Sequence, residues 1–316
     1  MSTATTPTLS GIAVHWHDEE HVRELSAAWP ADPRFELIIV DNGSREELAV
    51  ERGQVLRPNR NLGFAGAVNL GIRESRAPII LILNSDVRPE PGALENLLAG
   101  FDRFPEAAGL APRLVGSDGK SQSRWQLRAL PSPATLLLQA LMLPIGQGPR
   151  NEPRSGSSVE QPAAAALALR REVLEAVDGF DETFYPAWFE DVDLAKRLSE
   201  NGNSIRYWPQ AQFVHHLGAS VPQLGYGSFL WVYYANLCRY LRKHYNRLLP
   251  MTAQGLLLPT ALVRLALLPI RAPKLARGRK DAAGGFLLLA LGALSGWRLP
   301  RGNSPESPLE IEAGSP

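Results

Sequence analysis

The sequence predicts an α/β protein: a Rossmann-like, mostly parallel central sheet with a helical region on its C-terminal side. Three observations carry this expectation. Apolar runs of strand length alternate with helically periodic segments through the first half of the chain. Three of those runs are apolar without interruption, as parallel strands covered on both faces tend to be. From Ser228 onward the turn-rich pattern gives way to leucine-rich stretches of helical length.

Taken in order, "IAVHW" (12–16), "ELIIVD" (36–41), "QVLR" (54–57) and "PIILILN" (78–84) read as strands. Between them, "EEHVRELSAAW" and "GFAGAVNLGIRESR" carry apolar residues at helical spacing. "GLAPRLV" (109–115) is a further apolar run. The Pro- and Gly-rich "PIGQGPRNEPRSGSSVEQP" (144–162) reads as a mobile loop. "AAAALALRREVLEAVDGF" then reads as a strand feeding a short helix, and "SIRYWP" and "QFVHH" (204–216) as two short strands. The expected organisation is an α/β domain over residues 1–227, a helical region over 228–300, and a disordered tail over 301–316.

A chain of 316 residues with 45% hydrophobic composition can bury a full core, in one large domain or two. Its single cysteine excludes an intramolecular disulfide and points to a reducing, cytoplasmic setting. "MSTATTPTLS" shows no charged segment followed by an apolar one, so no signal peptide is expected.

The net charge of +1 conceals an asymmetry. Residues 1–200 hold 20 Lys and Arg against 28 Asp and Glu, whereas residues 201–280 hold 11 basic residues and no acid. Such a stretch calls for an anionic partner. Its basic residues are interleaved with aliphatic rather than aromatic side chains, which argues against nucleic acid. The apolar runs 256–270 and 284–297 fall short of the about 20 residues a span requires, and Pro259 and Arg264 interrupt the first. They fit helices lying on an anionic membrane surface, on the inner face of the cell membrane. A soluble helical subdomain packed on the α/β core is the alternative.

Ligands of doubly wound sheets bind beyond the carboxyl ends of the strands. The polar residues there are 15–18, 41–44 and 84–86. A second concentration of chemistry lies in "GFDETFYPAWFEDVDLAKRLSENG", where Glu190, Asp191 and Asp193 follow four aromatic residues. Acids in a first helical turn complement the helix dipole. A carboxylate beside aromatic side chains also has its pKa pushed upward by desolvation, as a general base requires.

Five stretches occur together in the order found in glycosyltransferase family 2: "IIVDNGS" (38–44), "NRNLGFAGAVNLGI" (59–72), "ILNSDVRPEPGAL" (82–94), "GFDETF" with "FEDVDL" (179–194), and "FVHHLGAS" (213–220). Over roughly residues 10–245 the chain resembles that family, and most of all its bacterial rhamnosyltransferase-like branch. The resemblance implies a GT-A fold, a dTDP- or UDP-sugar donor, a divalent cation (Mg²⁺ or Mn²⁺) and inversion at the anomeric carbon. It implies a sugar such as L-rhamnose moved to a lipid-linked (polyprenyl) or cell-surface glycan acceptor.

By the same resemblance Asp41 accepts from the imide N–H of the base, although "DNGS" also reads as a plain turn. Gly63 and Gly66 stand where the backbone must come close to something, before a helix start suited to phosphate or a ribose hydroxyl. With His15, Asn61, Asn69, Asn84 and Ser85 they make up the expected donor site. The glycine spacing matches neither the dinucleotide fingerprint nor the Lys-containing phosphate loop. "LNSD" stands where the family has Asp-x-Asp, so Asp86 is the ionised metal ligand there and Asn84 a departure. Of His215 and His216 only one can reach that metal, since successive strand residues face opposite ways. His216 is preferred, with a packed histidine as the alternative for the pair.

Asp191 takes the place of the family's catalytic base, Glu190 that of a residue orienting the acceptor, and Trp188 and Phe189 would stack on sugar faces. Asp193 reads as a helix-capping acid or a partner of Arg197. "HWHD", with His15 and Asp18, departs from the family's first strand end, and His17 reads as a loop residue. Two other readings remain: a catalytically inactive glycan- or lipid-binding scaffold, and a sugar-phosphate nucleotidyltransferase. The second lacks the early Gly-rich loop with Arg and Lys after the first strand.

Overall fold

A computed structural model describes residues 6–44, 47–143, 148–216 and 224–297. Residues 217–220 of "FVHHLGAS" and the expected disordered tail lie outside the described residues. The chain divides into two compact units, one of Met1–Leu130, Gln147–Pro186 and Glu190–Leu217, the other of Pro131–Gly146, Ala187–Phe189 and Gly218–Pro316. The division therefore falls ten residues before the expected boundary at 227, and it gives two internal segments to the second unit.

The first unit opens with β1 (Leu9–His15), α1 (Glu19–Ala28), β2 (Phe35–Asp41), β3 (Gln54–Leu56), α2 (Gly63–Glu74) and β4 (Ile79–Asn84). All are close to the segments read from the sequence. They are followed by β5 (Val87–Pro89), α3 (Ala93–Arg103), β6 (Gly109–Val115), α4 (Ser123–Gln126) and β7 (Leu127–Arg128). Within the second unit lies α5 (Pro133–Ala140). The first unit resumes with β8 (Ser158–Val159), β9 (Gln161–Pro162), β10 (Ala166–Arg170), α6 (Arg171–Ala176), α7 (Glu190–Glu200) and β11 (Ile205–His215). Two short strands thus form inside the segment expected to be a mobile loop. The two strands expected over 204–216 are one, with a register irregularity between Trp208 and Gln212 in its pairing with β6.

The main sheet runs in the order β3-β2-β1-β4-β10-β6-β11-β5, with β8 also pairing β11. β3, β2, β1 and β4 are mutually parallel, β10 is antiparallel to both its neighbours, and β11 is parallel to β6. Because successive strand residues face opposite ways, each central strand feeds two cores. β4 sends Leu81 and Leu83 into the cluster that holds Val22 and Leu25 of α1 and Leu97 and Phe101 of α3. It sends Ile80 and Ile82 into the cluster that holds Val68 of α2, Leu174 of α6 and Leu194 of α7. Burial on both faces explains why these strands read as unbroken apolar runs.

Asp193, buried at the start of α7, pairs with Arg197 one turn on at 2.8 Å, as expected. The same guanidinium donates to the carbonyls of Val177 and Gly179, so the pair also fixes the chain entering the acidic segment.

The second unit adds α8 (Tyr226–His244), α9 (Leu248–Leu267) and α10 (Arg279–Ser295) to α5. Ser132 caps α5 by accepting from the Thr135 N–H, with Pro133 in the first turn. The sequence expectation understated α9: its 20 residues make it long and apolar enough to cross a membrane by length and composition alone.

Glycine in the middle of a buried strand needs a reason, and β1 has one at Gly11. A Cβ there would lie 2.2 Å from the ring of Trp29, whose indole N–H is fixed to the Phe35 carbonyl at 3.1 Å. Gly11→Val is expected to destabilise the protein by about 1–3 kcal/mol, the usual cost of overpacking. Urea denaturation followed by circular dichroism measures it; an unchanged midpoint would show that Trp29 moves without cost.

Candidate functional site

The parallel pairing of β1 with β2 and β4 brings three strand ends together. His15 is in register with Asp41, and Val14 with Asn84, so "HWHD", "DNGS" and "LNSD" open at one edge of the sheet. β1 is where the chain's strand order reverses, the usual place for a ligand crevice.

Asp41 is fully buried. Its Oδ1 accepts from the Ser44 N–H at 3.1 Å, so the turn reading holds for that oxygen. Among the described residues its Oδ2 has no hydrogen-bond donor, and Arg57 Nε stands 3.5 Å away. His15 is equally buried, and neither ring nitrogen has a hydrogen-bond partner among the described residues. Burial holds its imidazole below the ordinary histidine value, against the pull of Asp41, Glu19 and Asp18. A neutral His15 offers one donor and one acceptor nitrogen. Unpartnered buried polar atoms on adjacent strand ends are costly unless something else satisfies them.

The start of α2 differs from expectation. The N–H groups of Leu62, Gly63 and Phe64 already donate, to Asn42 Oδ1 (2.7 Å), Asn61 Oδ1 (2.8 Å) and the Pro186 carbonyl (2.7 Å). A phosphate has no free N–H to take from these three residues. Gly63 is in the left-handed region, and a Cβ on it would meet the Tyr185 ring at 2.8 Å, so what its backbone approaches closely is the segment 185–186. Gly66 approaches Leu62 and Glu182. Asn69 spends its amide on Phe180 and Glu182, in a reciprocal bridge to the Phe180 backbone. Asn61 and Asn42 are joined side chain to side chain at 3.0 Å. Asn42, within the strand-end stretch 41–44, ties the end of β2 to this loop.

At the end of β4, Asn84 is half-buried and Ser85 donates to Asp18 Oδ2 at 2.8 Å. Asp86 is buried, and here β11 corrects the sequence reading. His215 Nε2 lies 3.4 Å from Asp86 Oδ1, whereas His216 turns to Glu24 at 3.7 Å and stacks near His21. His215, the histidine not preferred, is thus the one against Asp86. Burial alone would raise the Asp86 carboxyl. The hydrogen bond and charge of His215, with the charge of His21, outweigh it and hold the group below its ordinary value. Burial likewise works against a charge on His21, but its 2.6 Å bond to Asp18, the charge of Asp18 and those of Asp86 and Glu24 raise it.

Gln122 sets the tautomer of His215. Its Nε2 donates to the His215 carbonyl at 2.9 Å, which turns its Oε1 to His215 Nδ1 at 2.7 Å. Nδ1 then carries a proton, and Nε2 faces the Asp86 carboxylate, donating to it when the ring holds a second proton and meeting it as another acceptor when it does not. Two acceptors facing each other need a proton or a cation between them. Among the described residues no group of three or more His, Cys, Asp or Glu side chains is arranged to hold a metal. One carboxylate and one imidazole still fit an ion that keeps several waters and takes further oxygens from phosphates, and imidazole favours Mn²⁺ over Mg²⁺.

The acidic segment divides its two roles differently from expectation. Asp191 is the carboxylate with side-chain donors. Its Oδ2 accepts from Arg128 at 3.0 Å and from Gln161 Nε2 at 3.2 Å, both on the small β7–β9 sheet. Glu190 is the buried one, with an unpartnered Oε2, and its carboxyl is raised well above the ordinary value by burial and then by the charge of Asp191. Glu190 is therefore not presented to an acceptor, and Asp191 is the more exposed carboxylate of the two. In the second unit, Trp188 is half-buried against Phe229, and Phe189 is buried between Tyr233 and Tyr240. The Phe189 ring is packing rather than an open sugar platform. Both residues have positive φ, a conformation that these ring contacts hold.

The family described as "Glycosyl transferase family 2" matches residues 20–177, half of the chain. The N-acetylglucosaminyl-diphospho-decaprenol L-rhamnosyltransferase of Mycobacterium tuberculosis is 29% identical over 228 residues, covering 63% of this chain and 72% of that protein. The pre-mycofactocin glycosyltransferase of the same organism is 34% identical over 163 residues, covering 51% of this chain and 32% of that one. Among solved structures, a mannosyltransferase from Pyrobaculum calidifontis in complex with GDP-Man and Mn²⁺ aligns with a TM-score of 0.50 at 14% identity, covering 92% of this chain and 88% of its own. GalNAc-T7 with UDP, GalNAc and Mn²⁺ aligns with a TM-score of 0.53 at 13% identity, over 74% of this chain and 48% of its own. At such identities the likeness is one of fold, and the fold is GT-A.

The raised Glu190 carboxyl carries a pH signature. Between its unfolded value and its higher folded value, folding takes up a proton, so stability present at low pH is lost as pH rises through the folded value. Glu190→Gln removes that loss. The melting temperature of Glu190→Gln relative to the parent protein should rise as pH increases above the ordinary glutamate range and level off above the folded value; a pH-independent difference would contradict the burial of an ionisable carboxyl there.

Proposed function

The chain belongs to glycosyltransferase family 2, and on that premise we propose that it moves a sugar, L-rhamnose, from dTDP to a polyprenyl-diphosphate-linked glycan acceptor with inversion. UDP is the second donor nucleotide to consider. The observation that carries the reading is the convergence of buried, incompletely partnered groups at the ends of β1 and β2 with the buried Asp86 that follows β4. The rhamnosyl and lipid-diphosphate parts rest on the name of the mycobacterial relative, which spans most of this fold.

In this reading Asp41 Oδ2 accepts the imide N–H of the base, and His15, kept neutral by burial, bonds to the nucleoside with one of its open nitrogens. Asp86 and His215 hold the divalent ion, which when bound supplies positive charge at the departing diphosphate. Asp191 takes the proton of the acceptor hydroxyl as that oxygen bonds to the anomeric carbon. The bond from that carbon to the diphosphate oxygen breaks, and its electron pair leaves with the nucleoside diphosphate. A single displacement inverts the anomeric centre. Arg128 and Gln161 hold the Asp191 Oδ2, while Oδ1 accepts from the Val192 N–H at 2.8 Å and keeps a second lone pair for the proton. The neighbouring Glu190, its carboxyl raised well above the ordinary value by burial and then by the charge of Asp191, favours the protonated form, which lessens the repulsion between the two carboxyl groups.

Incubation with a panel of nucleotide sugars and a synthetic polyprenyl-diphosphate N-acetylglucosamine, followed by mass spectrometry, tests the reaction. dTDP-L-rhamnose should give the largest product signal, and chelation should remove it until Mn²⁺ is restored. Product from another donor alone would overturn the sugar, and turnover in excess chelator would overturn the ion. Asp191→Asn should lower kcat about a hundredfold or more with donor affinity little changed; turnover like that of the parent would remove Asp191 from the base role. Asp86→Ala should abolish the Mn²⁺ dependence of donor binding measured by calorimetry, and a retained dependence would move the ion elsewhere.

A further inference from the structure

The helices α9 and α10 are apolar on the outer face as well as on the buried one. Along α9 the exposed positions recur every three or four residues, as one helix face does, and Leu248, Met251, Leu262, Val263 and Leu267 are on it. Ile270, just past the helix end, continues the stripe and is 82% exposed. The one charged side chain of α9 points the other way: Arg264 is half-buried and donates to the Met142 carbonyl at 2.7 Å. Gln254 also turns inward, donating to the Ala293 carbonyl at 2.5 Å. α10 repeats the pattern, with Leu287, Leu288, Leu291 and Leu294 exposed while Phe286 and Leu289 are buried. A helix on the surface of a water-soluble domain has a polar outer face.

What covers this face is indicated by the chain that joins the two helices. Arg271, Lys274, Arg277, Arg279 and Lys280 are all exposed. No acidic residue occurs between residues 201 and 280, so no carboxylate of this stretch offsets them. Uncharged leucine stripes beside a purely basic connection match one surface chemistry: a hydrocarbon layer bordered by anionic headgroups. We infer that α9 and α10 form a monotopic docking surface for an anionic bilayer, with the leucine stripes in the acyl region of one leaflet and the basic connection at its headgroups. The exposed stripe occupies one face while Ala253, Leu257, Thr260 and Ala261 fill the other, so α9 lies along the membrane rather than crossing it. The inference goes beyond glycosyl transfer and does not depend on it, since a chain with no transferase activity would bind in the same way.

Flotation of the full chain with vesicles of phosphatidylcholine, with or without phosphatidylglycerol, tests it. Binding should require the anionic lipid, weaken about tenfold or more in high salt, and be released by alkaline carbonate. Leu262→Glu with Leu291→Glu changes two exposed positions and should abolish flotation with the circular dichroism spectrum unchanged. Arg271→Glu with Lys274→Glu should reduce the preference for phosphatidylglycerol and flatten the salt dependence. The inference is overturned if the chain ignores both vesicles, if the leucine variants float like the parent, or if carbonate leaves it membrane-bound as a spanning α9 would require. It is equally overturned if the chain is a dimer that the leucine variants dissociate while vesicles go unbound, since the stripe would then be covered by a second copy.

Discussion

Everything chemical in the first unit depends on the parallel pairing of β1 with its two neighbours. Parallel strands end on the same side of a sheet, so residues about 26 and 70 positions apart in the chain meet there without any loop having to bring them together. The register does the positioning: His15 lies opposite Asp41, and the residue before it lies opposite Asn84. Two apolar layers hold that register, because a slip by one residue would exchange the side chains that β4 sends to the α1–α3 side with those it sends to the α2–α7 side. The rigid core is thus what allows buried, incompletely bonded groups such as His15 to persist at the strand ends.

The carboxylate pair 190–191 shows how burial and pairing distribute charge between adjacent residues. Neighbouring residues at a helix start point in different directions. One of them, Glu190, is taken out of water, and the other meets a guanidinium and an amide from a separate two-stranded sheet. Desolvation and the neighbouring negative charge then act on Glu190 in the same sense. Asp86 presents the opposite balance, because its burial is outweighed by cationic and hydrogen-bonding partners. Two buried carboxyl groups in one unit are therefore held in opposite protonation tendencies by their surroundings.

The second unit is organised by aromatic contacts around Ala187–Phe189 and by two helices whose outer faces are also apolar. α8 supplies Phe229, Tyr233 and Tyr240 to the segment Ala187–Phe189, whose Trp188 and Phe189 adopt positive φ. α10 makes its close contacts through glycine: a Cβ on Gly292 would collide with Trp297 just past the helix end, and one on Gly285 with Tyr226 of α8. The outer faces of α9 and α10 remain apolar, which gives physical content to the charge asymmetry of the sequence: the basic residues are set between the apolar stripes.

The sequence by itself determined the α/β class, the order of the first strands and helices, the strand-end residues Asp41, Asn84 and Asp86, and the Asp193–Arg197 pair. Each of these follows from local periodicity, or from partners within one helical turn or at a strand end. It also singled out the acidic segment around residues 190–193 as a candidate site, through motifs in a fixed order. Only the tertiary structure decided the rest, because the deciding contacts come from far along the chain. Arg128 and Gln161 reach Asp191 across 63 and 30 residues, and Asn69 is claimed by a backbone 111 residues away. Strand alternation says that His215 and His216 face opposite ways, but which of them meets Asp86 depends on how β11 registers against β5 and β6. Whether a helix start is open to phosphate depends likewise on what else donates or accepts there, and at α2 the takers are Asn42, Asn61 and Pro186. Burial is a property of the packed chain, so the difference between Glu190 and Asp191, one residue apart, exists only once the fold has formed.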